Sequence, residues 1–367
     1  MIIESFFLFL LCRTREEVLS IDIAKYHCNR PEIAISFRNE EKTTVIGLNT
    51  FLPFSVIRLT PSLLIADRIK QKETLELDDT YKSVLYQTDF LFNSQTRAHN
   101  VLAYNAESST MYYKDHGLGL GLRFSDESFS VVHRLYRENA IQRLQFGFHN
   151  MNESLGGSFF IGGVPNDGHL QMKFKGVIKV NETLPTWGFS IDEIVINKRK
   201  IDVKIPAIIS TRADNFLSSD DLYEMFEKEV FREDIERNIC KKRKSGDYLY
   251  IECPDEFYKN LTFEMVIDNN KIEISPSLFI ESFYGLVTSN YRNNNGRKEH
   301  NFTGVIIGPH LLAQYNYSIF DYDKKQIELY SDTFMITSLT EHRKIIFTAE
   351  SILLLFNCII LVYLHYK

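Results

Sequence analysis

The sequence predicts a mainly β protein with a few short helices, and three observations predict it. Short runs of β-branched and aromatic residues recur along the chain, punctuated by Asn, Asp and Gly. Only two stretches have convincing helical spacing. No Pro- or Gly-rich linker interrupts the middle of the chain, so any lobes must pack closely. In order, the strand-like runs are Glu32–Phe37 (EIAISF), Phe159–Ile161 (FFI), Phe189–Ile196 (FSIDEIVI), Tyr248–Ile251 (YLYI) and Leu261–Ile267 (LTFEMVI). The helical stretches are Ser130–Arg143, with apolar residues at helical spacing, and Asp220–Phe231, which opens on acids. Asn293–Gly296 (NNNG) reads as a loop tip.

Composition sets the outer bounds. The 367 residues are 44% apolar, 25% charged and 13% aromatic. That is globular composition with apolar mass for sizeable cores, and it excludes a disordered or collagen-like chain. There are 42 Lys+Arg against 48 Asp+Glu, a formal charge of −6. Such a chain has no general pull on nucleic acid. The one basic run, Lys241-Lys242-Arg243-Lys244, reads as a solvated loop. No His/Cys cluster has metal spacing, and no phosphate loop or G-x-S-x-G appears, so neither metal nor cofactor is expected.

The ends differ from the middle. Ser5–Cys12 (SFFLFLLC) is too short to span a bilayer and reads as a signal peptide, with small residues at Thr14 or Ser20 for cleavage. A buried N-terminal strand is the alternative. Ile345–Leu364 (IIFTAESILLLFNCIILVYL) is long enough as a helix to cross about 30 Å of hydrocarbon. Arg343 and Lys344 before it favour the cytoplasmic side, whereas a signal peptide places them outside. A tail exchanged for a lipid anchor removes that conflict. A transmembrane span, an anchor signal and a buried helix therefore stay open.

Cysteine usage agrees with secretion. Setting aside Cys12 and Cys358 in the apolar ends leaves Cys28, Cys240 and Cys253. A Cys240–Cys253 bridge would close a small hairpin-like loop, with Lys241–Gly246 projecting into solvent. Five N-x-S/T sequons begin at Asn152, Asn181, Asn260, Asn301 and Asn316, the expected glycosylation sites.

Between residues 31 and 332 a series of motifs occurs in order. They are Asp115–Gly121 (DHGLGLG), Gly156–Val164 (GGSFFIGGV), Trp187–Ile191 (WGFSI), Gly246-Asp247-Tyr248 through Cys253 with Leu261-Thr262-Phe263, Ile306-Ile307-Gly308, and Ile319-Phe320-Asp321. Their order and spacing resemble the pepsin-like aspartic peptidases. The resemblance implies a bilobed pepsin-like acid-protease fold: an N-terminal β lobe over 21–172 and a C-terminal β lobe over 173–332. Residues 1–20 are then the signal, 333–344 a stalk, and 345–364 the transmembrane or anchor-signal helix.

In that family each lobe gives one Asp on a D-T-G loop. Two carboxylates about 3 Å apart share one proton, so one acts as base and the other as acid. This chain departs at both positions. Ala207–Asn215 (AIISTRADN) aligns with the second motif, with Ser210 for Asp and Arg212 for Gly. Thr44–Phe51 (TVIGLNTF) aligns with the first, with Asn49 at Asp and Phe51 at Gly, or Leu48 at Asp one residue earlier. None of these is a carboxylate, and Asp214 lies four residues from Ser210. The flap motif Y-G-T-G has no counterpart, since Gly is absent between Gly47 and Gly117; Tyr81 and Tyr86 lie nearby. The expectation is a membrane-tethered pepsin-like protein without peptidase chemistry, binding a peptide or protein in its inter-lobe cleft. An acid endopeptidase with a rearranged dyad and a structural surface glycoprotein are the alternatives.

Overall fold

The computed structural model describes residues 18–332 apart from short internal stretches and the longer ones 58–73, 107–116, 275–285 and 290–303. The N-terminal apolar run, Cys28, Asp214, the 293–296 tip and the 345–364 segment lie outside the described residues. No helix among the described residues is long and apolar enough to cross a membrane. Described residues up to 166 and those from 174 to 330 form one compact unit.

The fold is mainly β, and the described residues form a 13-stranded and a 9-stranded sheet. Each expected strand run is found: Glu32–Phe37 within Arg30–Phe37, Phe159–Ile161 within Gly156–Ile161, and Phe189–Ile196 within Gly188–Ile196. Tyr248–Ile251 lies within Tyr248–Glu252, and the last run forms Phe263–Ile267. The first strand is Leu19–His27, with Leu19 buried opposite Ile161. Ser20, one of the two cleavage positions considered, therefore falls inside a strand, while Thr14 lies before it.

Three sequence readings change. The helix expected over Ser130–Arg143 spans only Val131–Arg137. Ser130 caps it by accepting the His133 N–H, and Asn139, at φ 55°, turns the chain out of the helix. The stretch expected as one helix over Asp220–Phe231 is α-helical to Phe226 and becomes a π-turn over Glu227–Phe231. A second α-helical turn, Arg232–Glu236, then follows. Lys241–Lys244 is not a projecting loop: Lys241–Ser245 is a strand paired antiparallel with Tyr248–Glu252. A bridge between Cys240 and Cys253 closes this hairpin at its foot, and tertiary pairing overrides the low β propensity of lysine.

The two sheets repeat one arrangement. Strand Thr44–Asn49 runs parallel to Gly117–Gly119, which is antiparallel to Ser55–Ile57. Strand Arg199–Ile209 likewise runs parallel to Val305–Ile307, which is antiparallel to Leu217–Ser218. The outer neighbours match too: Ser55–Ile57 is parallel to Arg97–Ala106, and Leu217–Ser218 is parallel to Leu286–Ser289. A loop thus leaves the C-terminal end of an interior strand twice, after Asn49 and after Ile209.

Late strands also join the first sheet. Tyr317–Asp321 pairs with Gln145–Asn152 on one side and Gln326–Asp332 on the other. The aromatic core packs where they meet: Phe146 stacks on Phe320 at 4.7 Å, with Trp187 edge-on to both. Burying rings of this size is the largest apolar contribution available to a core.

Candidate functional site

Strand Thr44–Asn49 buries its last four residues, so Asn49 enters the first loop from inside the core, 4% exposed. Its carbonyl accepts the Leu120 N–H at 2.8 Å. Its side-chain Oδ1 accepts the N–H groups of Phe51 and Leu52 at 3.0 and 3.1 Å, an Asx turn that fixes the loop. Gly119 donates to Ser55 Oγ, and a Cβ on Gly119 would lie 2.2 Å from the Phe54 carbonyl carbon. Only glycine allows that approach.

The second loop starts the same way. Ser210, 5% exposed, donates its N–H to Ile307 O at 2.9 Å. Its Oγ accepts the Arg212 N–H at 3.3 Å.

The loops interlock through two fully buried threonines. Thr50 N–H donates to Thr211 Oγ1 at 3.1 Å, and Thr211 N–H donates to Thr50 Oγ1 at 3.0 Å. Each hydroxyl then donates across to the other strand: Thr50 Oγ1 to Ile209 O at 3.1 Å, and Thr211 Oγ1 to Leu48 O at 2.6 Å. The four bonds are reciprocal, so Thr50 corresponds to Thr211, Leu48 to Ile209, and Asn49 to Ser210. Neither Phe51 nor Arg212 has φ in the left-handed region among the described residues, so neither turn demands glycine there.

A second layer holds the first loop. Thr186 Oγ1 donates to Thr50 O at 2.7 Å. Leu120 O accepts both Trp187 Nε1 at 2.7 Å and Tyr322 OH at 3.1 Å. Burial pushes the Tyr322 hydroxyl far above its ordinary pKa, so it stays a donor. Ser130, the helix cap, contacts that hydroxyl and also His133 Nδ1 at 2.9 Å.

The chemistry of these loops is narrow. Across 43–57 and 207–213, Arg212 is the only ionisable charge, and neither Asn49 nor Ser210 titrates in acid. Among the described residues no cluster of His, Cys, Asp and Glu could hold a metal ion.

The sequence profile of the family "Eukaryotic aspartyl protease" matches residues 91–331. The chain belongs to the eukaryotic aspartyl protease family. The matched span takes in Ser210–Arg212 and begins after Asn49–Phe51. Among solved structures, this aspartyl protease family member resembles the aspartic proteinase from Irpex lacteus at a TM-score of 0.60. The two are 14% identical, over 86% of this chain and 98% of that one, a likeness of fold. No curated protein matches the chain.

Other expected sites fall elsewhere in this family member. Asn181 is half-buried, donates from Nδ2 to Ser190 Oγ at 3.0 Å, and accepts from Thr183 of its own sequon. Asn316 donates to Asn150 Oδ1 at 2.8 Å. Asn152 ends a strand, and Asn260 and Asn301 lie outside the described residues. Tyr81 opens a long strand that pairs with Thr74–Asp78 as a hairpin, although no turn motif marked one. Tyr86 is buried in the core. Sequence reasoning placed Thr50 and Thr211 in the two aligned motifs without giving them a role, and did not single out Thr186 or Tyr322.

Proposed function

We propose that this aspartyl protease family member keeps the pepsin-like scaffold without its peptidase chemistry. In this reading Asn49 and Ser210 stand at the two dyad positions, the lobes 21–172 and 173–332 flank a cleft, and an extended peptide or protein segment is held there by backbone pairing. The observation that carries the reading is the reciprocal Thr50–Thr211 bonding, which makes the two non-carboxylate residues correspond. A shared proton needs two carboxylates, and an amide with a hydroxyl supplies neither a base nor a titratable acid near pH 4. The reading also takes the secretory route, with glycans on the five sequons and the 345–364 segment as a membrane tether or anchor signal.

Incubating the purified full chain with denatured protein between pH 3 and 6 tests it. No new peptides are expected by mass spectrometry. Cleavage blocked by a statine-type transition-state mimic would reject the reading.

A further inference from the structure

The basic run takes no part in the candidate site. With Ser245 it forms the outermost strand of the nine-stranded sheet: Tyr248–Glu252 pairs with one of its edges, and nothing among the described residues pairs with the other. All four basic side chains are exposed. Successive residues of a strand point to opposite faces, so Lys241 and Arg243 share one face, Lys242 and Lys244 the other. Each face has one cation already matched. Arg243 pairs with Glu252 at 2.8 Å, and Lys242 pairs with Glu227. Lys241 and Lys244 meet no carboxylate among the described residues. The Cys240–Cys253 bridge ties the foot of the strand to its neighbour, so the edge is held in extended form before any partner arrives.

Lysine on an edge strand is a common device against pairing of like edges. The same charge that repels a basic edge attracts an acidic one. We infer that the edge Lys241–Ser245 is a docking strand for an extended acidic segment of another protein. The segment adds to the sheet through main-chain hydrogen bonds, and its carboxylates meet Lys241 and Lys244. Those lysines are three residues apart and on opposite faces. The matching acids are therefore also three apart, one on each face of the added strand. This surface is independent of the proposed cleft ligand.

The test titrates the full chain with a labelled peptide of alternating Thr and Val carrying two Glu three residues apart. A second peptide has the same composition with the Glu residues two apart, on one face. A third is the first with its pairing amides N-methylated. The first should bind, weakening as salt is raised. The second should bind several-fold more weakly and the third not at all. Replacing both lysines, Lys241→Gln with Lys244→Gln, should lower affinity for the first peptide by about tenfold. Circular dichroism should show the fold unchanged, because both side chains lie in solvent. Equal binding of the two spacings, or binding that survives N-methylation, overturns strand addition in favour of simple charge attraction. Absence of binding, or unchanged affinity in the double variant, overturns the docking strand altogether.

Discussion

Asn49 ends an interior strand and Ser210 directly follows one, and each precedes a buried threonine, yet their loops use hydrogen bonds differently. The Asn49 amide oxygen holds two backbone N–H groups, and Thr186, Leu120 and Gly121 add three further contacts to that loop. The Ser210 hydroxyl holds one N–H at 3.3 Å. The longer Asn49 side chain reaches two N–H groups where the shorter Ser210 hydroxyl meets one, and in the second loop the Ser210 carbonyl adds the Ala213 N–H at 3.2 Å. Between them, the threonine exchange is symmetric. What the two sheets share is the strand arrangement that positions a residue before each buried threonine; what differs is the residue placed there.

Breaking the shared part should have the largest effect. Thr211→Val removes the acceptor of the Thr50 N–H and the donor to Leu48 O at a fully buried position, and Thr50→Val does the mirror image. Each should cost about 3 kcal/mol in urea unfolding, since a buried backbone group loses its partner. The double variant should cost less than the sum, because the two sites form one network. Similar costs from the two single variants would confirm the symmetry; a one-sided loss would break it.

The unshared part should show up next. Asn49→Ala should cost about 1–2 kcal/mol, because two N–H groups lose their acceptor, whereas Ser210→Ala should cost about 0.5 kcal/mol or less. Equal costs would mean that the Asx turn does not brace the first loop.

The smallest effect concerns the layer behind the first loop, which has no described counterpart behind the second. Burial is the largest influence on His133 and lowers its pKa below 6.5; Glu127 and Asp323 oppose this, and Arg137 adds to it. The unfolded chain therefore binds the proton more readily than the folded one. This contribution to stability is complete above pH 6.5 and declines as pH falls below it. The melting temperature of the His133→Gln variant should fall less between pH 7 and 5 than that of the parent.

Much of this architecture was legible in the order of the motifs, because glycines and aromatics in fixed succession reflect close strand packing. Gly119 against Phe54 and Trp187 against Phe146 are examples. The Cys240–Cys253 bridge was legible because few cysteines remained between the apolar ends. The helix end at Arg137 was not, because apolar spacing continues past the left-handed turn at Asn139. The edge strand at Lys241 was not either, because its strand character comes from pairing and a bridge rather than from its own side chains. At the candidate site, Asn49 and Ser210 could be named from sequence, with Asn49 the preferred register of the first loop and Leu48 the alternative. The hydrogen-bond exchange between Thr50 and Thr211 could not be read from sequence, because it joins residues 161 positions apart.

In the proposed function this scaffold lacks a proton-sharing pair at its two loops. The most direct measurement is turnover of acid-denatured protein at pH 3–6 by the parent, by Asn49→Asp alone, and by Ser210→Asp with Arg212→Gly alone. No turnover is expected from the parent or from either single-loop restoration, because each still holds at most one carboxylate. Statine-sensitive turnover by the parent, or by either single-loop restoration, would contradict it.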